Sequence, residues 1–292
     1  MAARIDFDYL HRIASGPESH GALRRIEADR ERLLSGASLE TPGERLDLTL
    51  VLGPDEIGTD RSQTAQPPHR KVHLCLRSDL APASMDAILE IFRDHAHTVL
   101  PGFRGETGGT VVDLGANEGF YTLKMKLRNP AIQIVAAEPV RENAERFREN
   151  MAANSLAGIT LRETAITDRS GDVHMETLPH VGTVASTDML AFPRPWIDAE
   201  KIRHRTVPAM SLATLLETTG VSEAEILKMD IEGSETTVLA GSSESLRRFR
   251  RVVVECHGDA ARTTTAEIME SQGFRSLHAE SKRSGDLYFL RT

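Results

Sequence analysis

From Thr110 onward, short apolar runs alternate with amphipathic helical patterns, and this alternation limits the folds open to the chain. A strand, a crossover helix and a second strand place the two strands parallel, with helices covering the faces of the sheet. The strands fall at Thr110–Leu114, Gln133–Ala137, Thr160–Glu163, Ile226–Met229, Arg251–Glu255, Arg275–Ala279 and Asp286–Leu290. The helices between them read as Tyr121–Arg128, Val140–Asn154, Ser211–Thr218, Ser234–Phe249 and Thr264–Gln272. Only Glu280–Gly285 separates the last two strands, which is too short for a parallel return, so they pair antiparallel. The expected fold is α/β and Rossmann-like, a mostly parallel sheet ending in an antiparallel hairpin.

The first hundred residues have a different texture. Phe7–Ile13, Gly21–Leu34 and Pro82–His97 read as helices, Leu46–Leu52 and Val72–Leu76 as strands, and the Pro- and Gly-bearing Gly53–His69 as a loop. A Gly-rich link, Pro101–Gly109, leads into the first βα unit. The expected division is an α+β extension over 1–100, serving as a cap or a homodimer contact, and a catalytic domain over 101–292. A net charge of -8 speaks against a surface that tracks nucleic-acid phosphates. Two distant cysteines, Cys75 and Cys256, make neither a disulfide framework nor a metal spacing. No apolar run reaches membrane-spanning length, and the start of the chain has no apolar signal segment. These features lead to the expectation of a soluble cytoplasmic protein acting on a small molecule, with neither nucleic acid nor membrane as partner.

The segment TVVDLGANEGFYTL, 110–123, is the first to carry chemistry. A buried strand runs into a turn with Gly115 and Gly119, at the place where doubly wound sheets open their ligand crevice. The spacing is Gly-x-x-x-Gly, and Asn117 stands where a dinucleotide loop needs its second glycine for close approach of a pyrophosphate. Asp113 would repel a pyrophosphate but suits a sulfonium cofactor with an amino-acid ammonium group. Glu138 lies 19 residues beyond Gly119, near the offset at which an acid grips ribose hydroxyls. An ordinary βα turn accounts for the two glycines alone, but less readily for the glycines and both acids together.

Five segments in order resemble the FkbM family of methyltransferases: VVDLGANEGFYTL (111–123), AAEPVRENAERFRENMAANSL (136–156), TAITDRSGDV (164–173), LKMDIEGSETTVLAG (227–241) and RRVVVECH (250–257). The resemblance covers about half the chain and none of residues 1–100. It implies a class I fold, S-adenosyl-L-methionine as methyl donor and, most often, O-methylation of a small molecule or sugar. Matched residue by residue, Asp113, Gly115, Asn117 and Gly119 correspond to the loop at the methionine end, and Glu138 to the ribose clamp. Asn143 assists that clamp or caps its helix. The Thr164–Asp168 stretch, with Ala165 and Asp168, corresponds to the adenine segment, although Asp168 equally suits bracing of its own turn. Glu118 departs from the family's small or apolar residue and is expected to point to solvent. Ala213 stands where the family often has an acid.

Methyl transfer is an in-line displacement that needs the nucleophile held against the methyl and water kept out. An alcohol must also lose its proton. Asp230, Glu255 and His257 sit at the ends of the fourth and fifth strands, which face the reacting centre in this fold, and are the catalytic candidates. Strand alternation puts His257 on the face of Glu255. The three also form an oxygen/nitrogen set able to bind Mg²⁺, but their spacing does not require an ion, so a metal-independent reaction is expected. His180–Arg205, with Pro193, Pro195 and Trp196, reads as a long connection that selects the acceptor. The readings in competition are N-methylation on the same fold, a nicotinamide-dependent oxidoreductase, and a cofactor-binding subunit without turnover.

Overall fold

The computed structural model describes residues 5–35, 38–58, 69–178, 181–186, 200, 202–277 and 285–292. The N-terminal residues form α1 (Phe7–Ile13), α2 (Gly16–Leu34), β1 (Arg45–Leu52), α3 (Pro54–Ile57), β2 (Arg70–Arg77) and α4 (Ala81–Ile88). Helix α2 starts earlier than its charged pattern suggests, because Pro17 is accommodated in its first turn. The βα units follow as β3 (Thr110–Leu114), α5 (Phe120–Arg128), β4 (Gln133–Ala137), α6 (Arg141–Ala153) and β5 (Ile159–Arg162). Next come β6 (Ala165–Thr167), β7 (Gly171–Leu178), β8 (Val181–Ser186) and β9 (Arg203–Ser211). The chain then forms α7 (Leu212–Thr219), β10 (Ala224–Met229), α8 (Glu235–Ala240), α9 (Ser243–Leu246) and β11 (Phe249–Glu255). It closes with α10 (Asp259–Ser271), β12 (Phe274–Leu277) and β13 (Asp286–Arg291). No helix among the described residues is long and apolar enough to cross a membrane.

The central sheet has seven strands in the order β12-β13-β11-β10-β3-β4-β5. Strands β5, β4, β3, β10 and β11 run parallel, and β13 lies antiparallel between β11 and β12. The central strands are buried on both faces, which is why they read as unbroken apolar runs. Adjacent residues still divide between the faces. Val111, Ile134, Ala136, Ile226 and Val253 pack on one side, and Val112, Val135, Leu227, Val252 and Val254 on the other. The first side is covered by α5 and by the N-terminal elements together: Leu10, Leu23, Ile26, Leu50, Val72, Met85 and Phe92 belong to the same apolar cluster as Val111 and Leu123. The winding reverses between β3 and its neighbours β4 and β10, and a crevice opens at the carboxyl ends of such strands.

Three expectations change. The pattern at Pro82–His97 stops being α-helical at Ile88, passes through a π turn at Leu89–Arg93, and ends with His95 and His97 in the left-handed region. Ser234–Phe249 is two short helices parted at Gly241–Ser242, and Phe249 already belongs to β11. The stretch beyond β5 is more than a connection. Strands β6, β9, β7 and β8 form a second sheet, with β6 parallel to β9 and β7 antiparallel to both β9 and β8. Of the His180–Arg205 segment, Pro193, Pro195 and Trp196 lie outside the described residues.

Gly115 shows how closely the chain is drawn together at the crevice. Its φ is +74°, and a Cβ there would stand 1.7 Å from the Asp230 carbonyl oxygen. Gly220 has a similar φ, +70°, but nothing within reach of an added Cβ. We expect Gly220→Ala to cost about 1–2 kcal/mol, the left-handed penalty alone. Gly115→Ala adds displacement of the Asp230 backbone and should exceed about 4 kcal/mol. Urea denaturation of the two variants measures the difference.

Candidate active site

A cleft opens at the strand ends. Gly115, Asn117, Glu138 and Asn143 line it from the first two βα units, and Asp230, Ile231 and Glu232 from the loop after β10. Thr164, Ala165, Ile166, Thr167 and Met175 complete the lining, so the second sheet is a wall of the cleft.

Glu138 is held from both sides. Its Oε2 accepts from the Asn117 backbone N–H at 2.8 Å and its Oε1 from the Val140 N–H at 2.8 Å. Asn117 reaches that bond with φ +49°, a conformation Asn tolerates better than most residues. Burial pushes the Glu138 carboxyl up to about 7, against the pull of those two amides, the Asn143 side chain and Lys228. Asn117 Oδ1 is buried without a hydrogen-bond partner among the described residues.

Asp113, expected from sequence to meet the cofactor's ammonium, does not line the cleft. It has no exposed surface, lies 3.2 Å from Lys228 Nζ and accepts from Thr122 Oγ1 at 2.8 Å. The neighbouring cation belongs to the protein. Lys228 Nζ also donates to the carbonyls of Leu114 and Gly115, at 3.2 and 2.8 Å, and lies 3.8 Å from Asp230 Oδ2. Burial disfavours its charge, but Asp113 and Asp230 outweigh burial and raise its pKa. A lysine inside the apolar run ILKM was the available signal, because a buried charge requires a partner.

Gly119 is also outside the lining. A Cβ at its φ of +88° would press on Phe147 and Met151 of α6 at 2.8 and 2.9 Å, so this glycine serves helix packing. Asp168 is exposed, packs beside Gly241 and does not line the cleft. Glu118 is another correction. It is 2% exposed, accepts from Ser84 Oγ at 2.7 Å, and burial pushes its carboxyl up to about 7. The N-terminal elements cover the place where solvent was expected.

Beyond Asp230 lies a second constellation. His257, which strand alternation puts on the face of Glu255, has its Nε2 3.2 Å from Glu232 Oε2. Glu255 faces His97, Nε2 to Oε2 at 3.9 Å, and Asp230 Oδ2 lies 3.7 Å from the same nitrogen. His97 is anchored by Asp286, which accepts from its backbone N–H and faces its Nδ1, both at 2.8 Å. Burial opposes the Asp286 charge, yet His97 and the Tyr288 hydroxyl hold its pKa below the usual value. Burial, with Asp230, Asp286 and Glu232 nearby, pushes the Glu255 carboxyl well above the usual value. The catalytic candidates Asp230, Glu255 and His257 thus come to one end of the sheet, but His97 and Asp286 join them unforeseen. Their sequence signals are slight: a histidine closing an apolar helix pattern, and an acid opening the last strand.

The sheet order and its switch-point cleft are those of a class I methyltransferase. The chain belongs to the FkbM methyltransferase domain family, whose model matches residues 113–276. It is 28% identical to Methyltransferase 1 of Beauveria bassiana over 63% of this chain and 78% of that protein. It is 26% identical to the 31-O-demethyl-FK506 methyltransferase FkbM of Streptomyces tacrolimicus, over 63% and 79% respectively. Among solved structures, an O-methyltransferase family protein from Burkholderia thailandensis matches 93% of this chain and 71% of its own, at 11% identity and a TM-score of 0.45.

The geometry makes Lys228 and Asp113 a unit. Lys228→Met strands a buried carboxylate and should cost about 3–5 kcal/mol. Adding Asp113→Asn removes the stranded charge, so the double variant should be more stable than Lys228→Met alone. A double-mutant cycle by chemical denaturation reads this coupling.

Proposed function

We propose that the protein transfers a methyl group from S-adenosyl-L-methionine to a hydroxyl of a small molecule. The observation that carries this reading is Glu138. Its carboxylate lines the cleft while two backbone amides hold it in place, one of them from the Asn117 that replaces a pyrophosphate-accommodating glycine. Ribose hydroxyls would donate to the lone pairs that remain on its oxygens, and burial makes such donors valuable. The unpartnered Asn117 Oδ1 adds an acceptor beside it. Oxygen as the methylated atom is supported by the relative named for a 31-O-demethyl compound.

When bound, the cofactor supplies an electrophilic methyl on a sulfonium. This chain's residues hold the nucleoside, shield the reaction from water and receive the acceptor's proton. Asp230 is the carboxylate common to the cofactor cleft and the His97 constellation, so it stands where those tasks meet. Residues of β6 and β7 form a further wall of the cleft.

Calorimetric titration with S-adenosyl-L-methionine and, separately, NAD tests the reading; binding of NAD alone would sink it. Glu138→Ala should weaken cofactor binding about ten- to a hundred-fold, the worth of a charge-assisted contact. Because ribose donors favour the ionised carboxylate, wild-type affinity should rise with pH up to about 7 and then level. Glu138→Gln should lack that rise. Asp230→Asn keeps shape but loses basicity and charge, and should lower turnover by about 10²- to 10⁴-fold with cofactor binding largely kept. Single-turnover rates with labelled donor measure it.

A further inference from the structure

Resting on the methyl-transfer reading, we propose that His97, Glu255 and Asp230 hold a divalent cation beside the cofactor cleft, with Asp286 as the outer partner that orients the imidazole. The argument begins at Asp286. One of its oxygens faces His97 Nδ1, and the other accepts from the His97 backbone N–H and the Tyr288 hydroxyl. That carboxylate calls for a proton on Nδ1, so the ring nitrogen open to an ion is Nε2, on the side away from Asp286. A carboxylate behind a histidine, fixing its tautomer and raising its basicity, is the usual setting of a metal-bound imidazole.

Nε2 is where the second observation lies. His97 is only 3% exposed, yet Nε2 makes no hydrogen bond among the described residues. The atoms nearest in charge are Asp230 Oδ2 at 3.7 Å and Glu255 Oε2 at 3.9 Å. Both distances exceed a hydrogen bond. They suit ligands on a common ion, because bonds of about 2.0–2.3 Å put neighbouring ligand atoms about 3–4 Å apart. Two sets of atoms, each within 4.8 Å of one another, meet here, His97 with Glu255 and Asp286, and Asp230 with Glu232 and His257; the proposed set joins them at His97 Nε2, which lies within 4 Å of both Glu255 and Asp230. Among the described residues the ammonium in contact with this group is that of Lys228, which is shared with Asp113 and two carbonyls. Four carboxylates therefore crowd one end of the sheet with little positive charge of their own.

The strand register explains how the ligands meet. Glu255 ends β11 and Asp286 opens antiparallel β13 directly opposite it. His97 arrives from the N-terminal elements, its φ of +61° turning both its N–H and its ring onto Asp286. One imidazole nitrogen with carboxylates is a mixed set, suited to Mn²⁺, Fe²⁺ or Zn²⁺ as well as to Mg²⁺. Its task would be to bind the acceptor oxygen and make the hydroxyl proton easier to pass to a neighbouring carboxylate. This revises the metal-independent reaction expected from Asp230, Glu255 and His257 alone.

The test uses untagged full-length protein, stripped with a chelator and dialysed. Mn²⁺ is titrated in, free ion is followed by electron paramagnetic resonance, and heat by calorimetry, with neither cofactor nor acceptor present. One Mn²⁺ site is expected, weakened at least about ten-fold in Glu255→Gln and in His97→Ala. Asp286→Asn should weaken it about ten- to a hundred-fold, as loss of an outer partner does. Circular dichroism checks folding, and should His97→Ala fail to fold, the near-isosteric Glu255→Gln and Asp286→Asn decide. Absence of Mn²⁺, Mg²⁺ and Zn²⁺ binding at millimolar concentration overturns the proposal, as does binding that is unchanged in both carboxylate variants. S-adenosyl-L-methionine is titrated separately. Cofactor binding without Mn²⁺ binding sinks the cation alone, and Mn²⁺ binding without cofactor binding sinks the methyl-transfer reading.

Discussion

The ammonium of Lys228 is the point on which the site's architecture depends. It is buried in the middle of the sheet, where a lone charge would be strongly unfavourable, and four oxygens surround it. Two of those oxygens are the carbonyls that end β3, so the lysine holds the strand at its turn. A third belongs to Asp113, whose own burial is tolerable only because the lysine is there. The fourth belongs to Asp230, which is thereby drawn toward the cleft floor. Gly115 fits into the same arrangement, because only a residue without Cβ allows the β3 turn to pass under the Asp230 carbonyl.

Around that fixed floor the two sides of the cleft differ in kind. One side is backbone and a single carboxylate: Glu138, clamped by amides, with the wall of β6 and β7 beside it. The other is a crowd of ionisable side chains supplied by β10, β11, β13 and the N-terminal elements. A nucleoside needs shape and a few well-placed acceptors, whereas a reacting hydroxyl needs charge and proton acceptors. Under the proposed function, the division of residues follows that division of tasks. Glu118 shows the N-terminal elements reaching the first βα unit too, since its carboxylate meets Ser84 and its carbonyl accepts from Asn150.

The parallel strands were legible because strands buried on both faces must be apolar throughout, and VVDL, IVAA and VVVE leave little else to form. The antiparallel closing hairpin was legible from the shortness of its connection, and the structure pairs β12 with β13 as expected. The second sheet was not, because β7 and β9 carry largely exposed, polar sequences such as GDVHMETL and RHRTVPAMS. Their strand character comes from pairing with each other, which no local pattern announces. Within the cleft, Glu138 could be found from its offset, since that offset reflects the length of one βα unit. His97 and Asp286 could not, because only tertiary packing brings them together. Asp113 misled for a related reason: its partner, Lys228, is on a different strand.

The His97–Asp286 contact spans 189 residues, whereas the Asn117–Glu138 contact spans 21. Closing a longer loop costs more chain entropy before any contact repays it, so pairings distant in sequence tend to mature late in folding. Strand β13 must moreover find its slot between β11 and β12 before Asp286 can turn toward the imidazole. The two halves of the site therefore differ in age within each molecule's assembly. The half around Glu138 can form as soon as two neighbouring βα units have met. The half with the histidine waits until the N-terminal elements and the last strand of the sheet have docked from opposite ends of the chain.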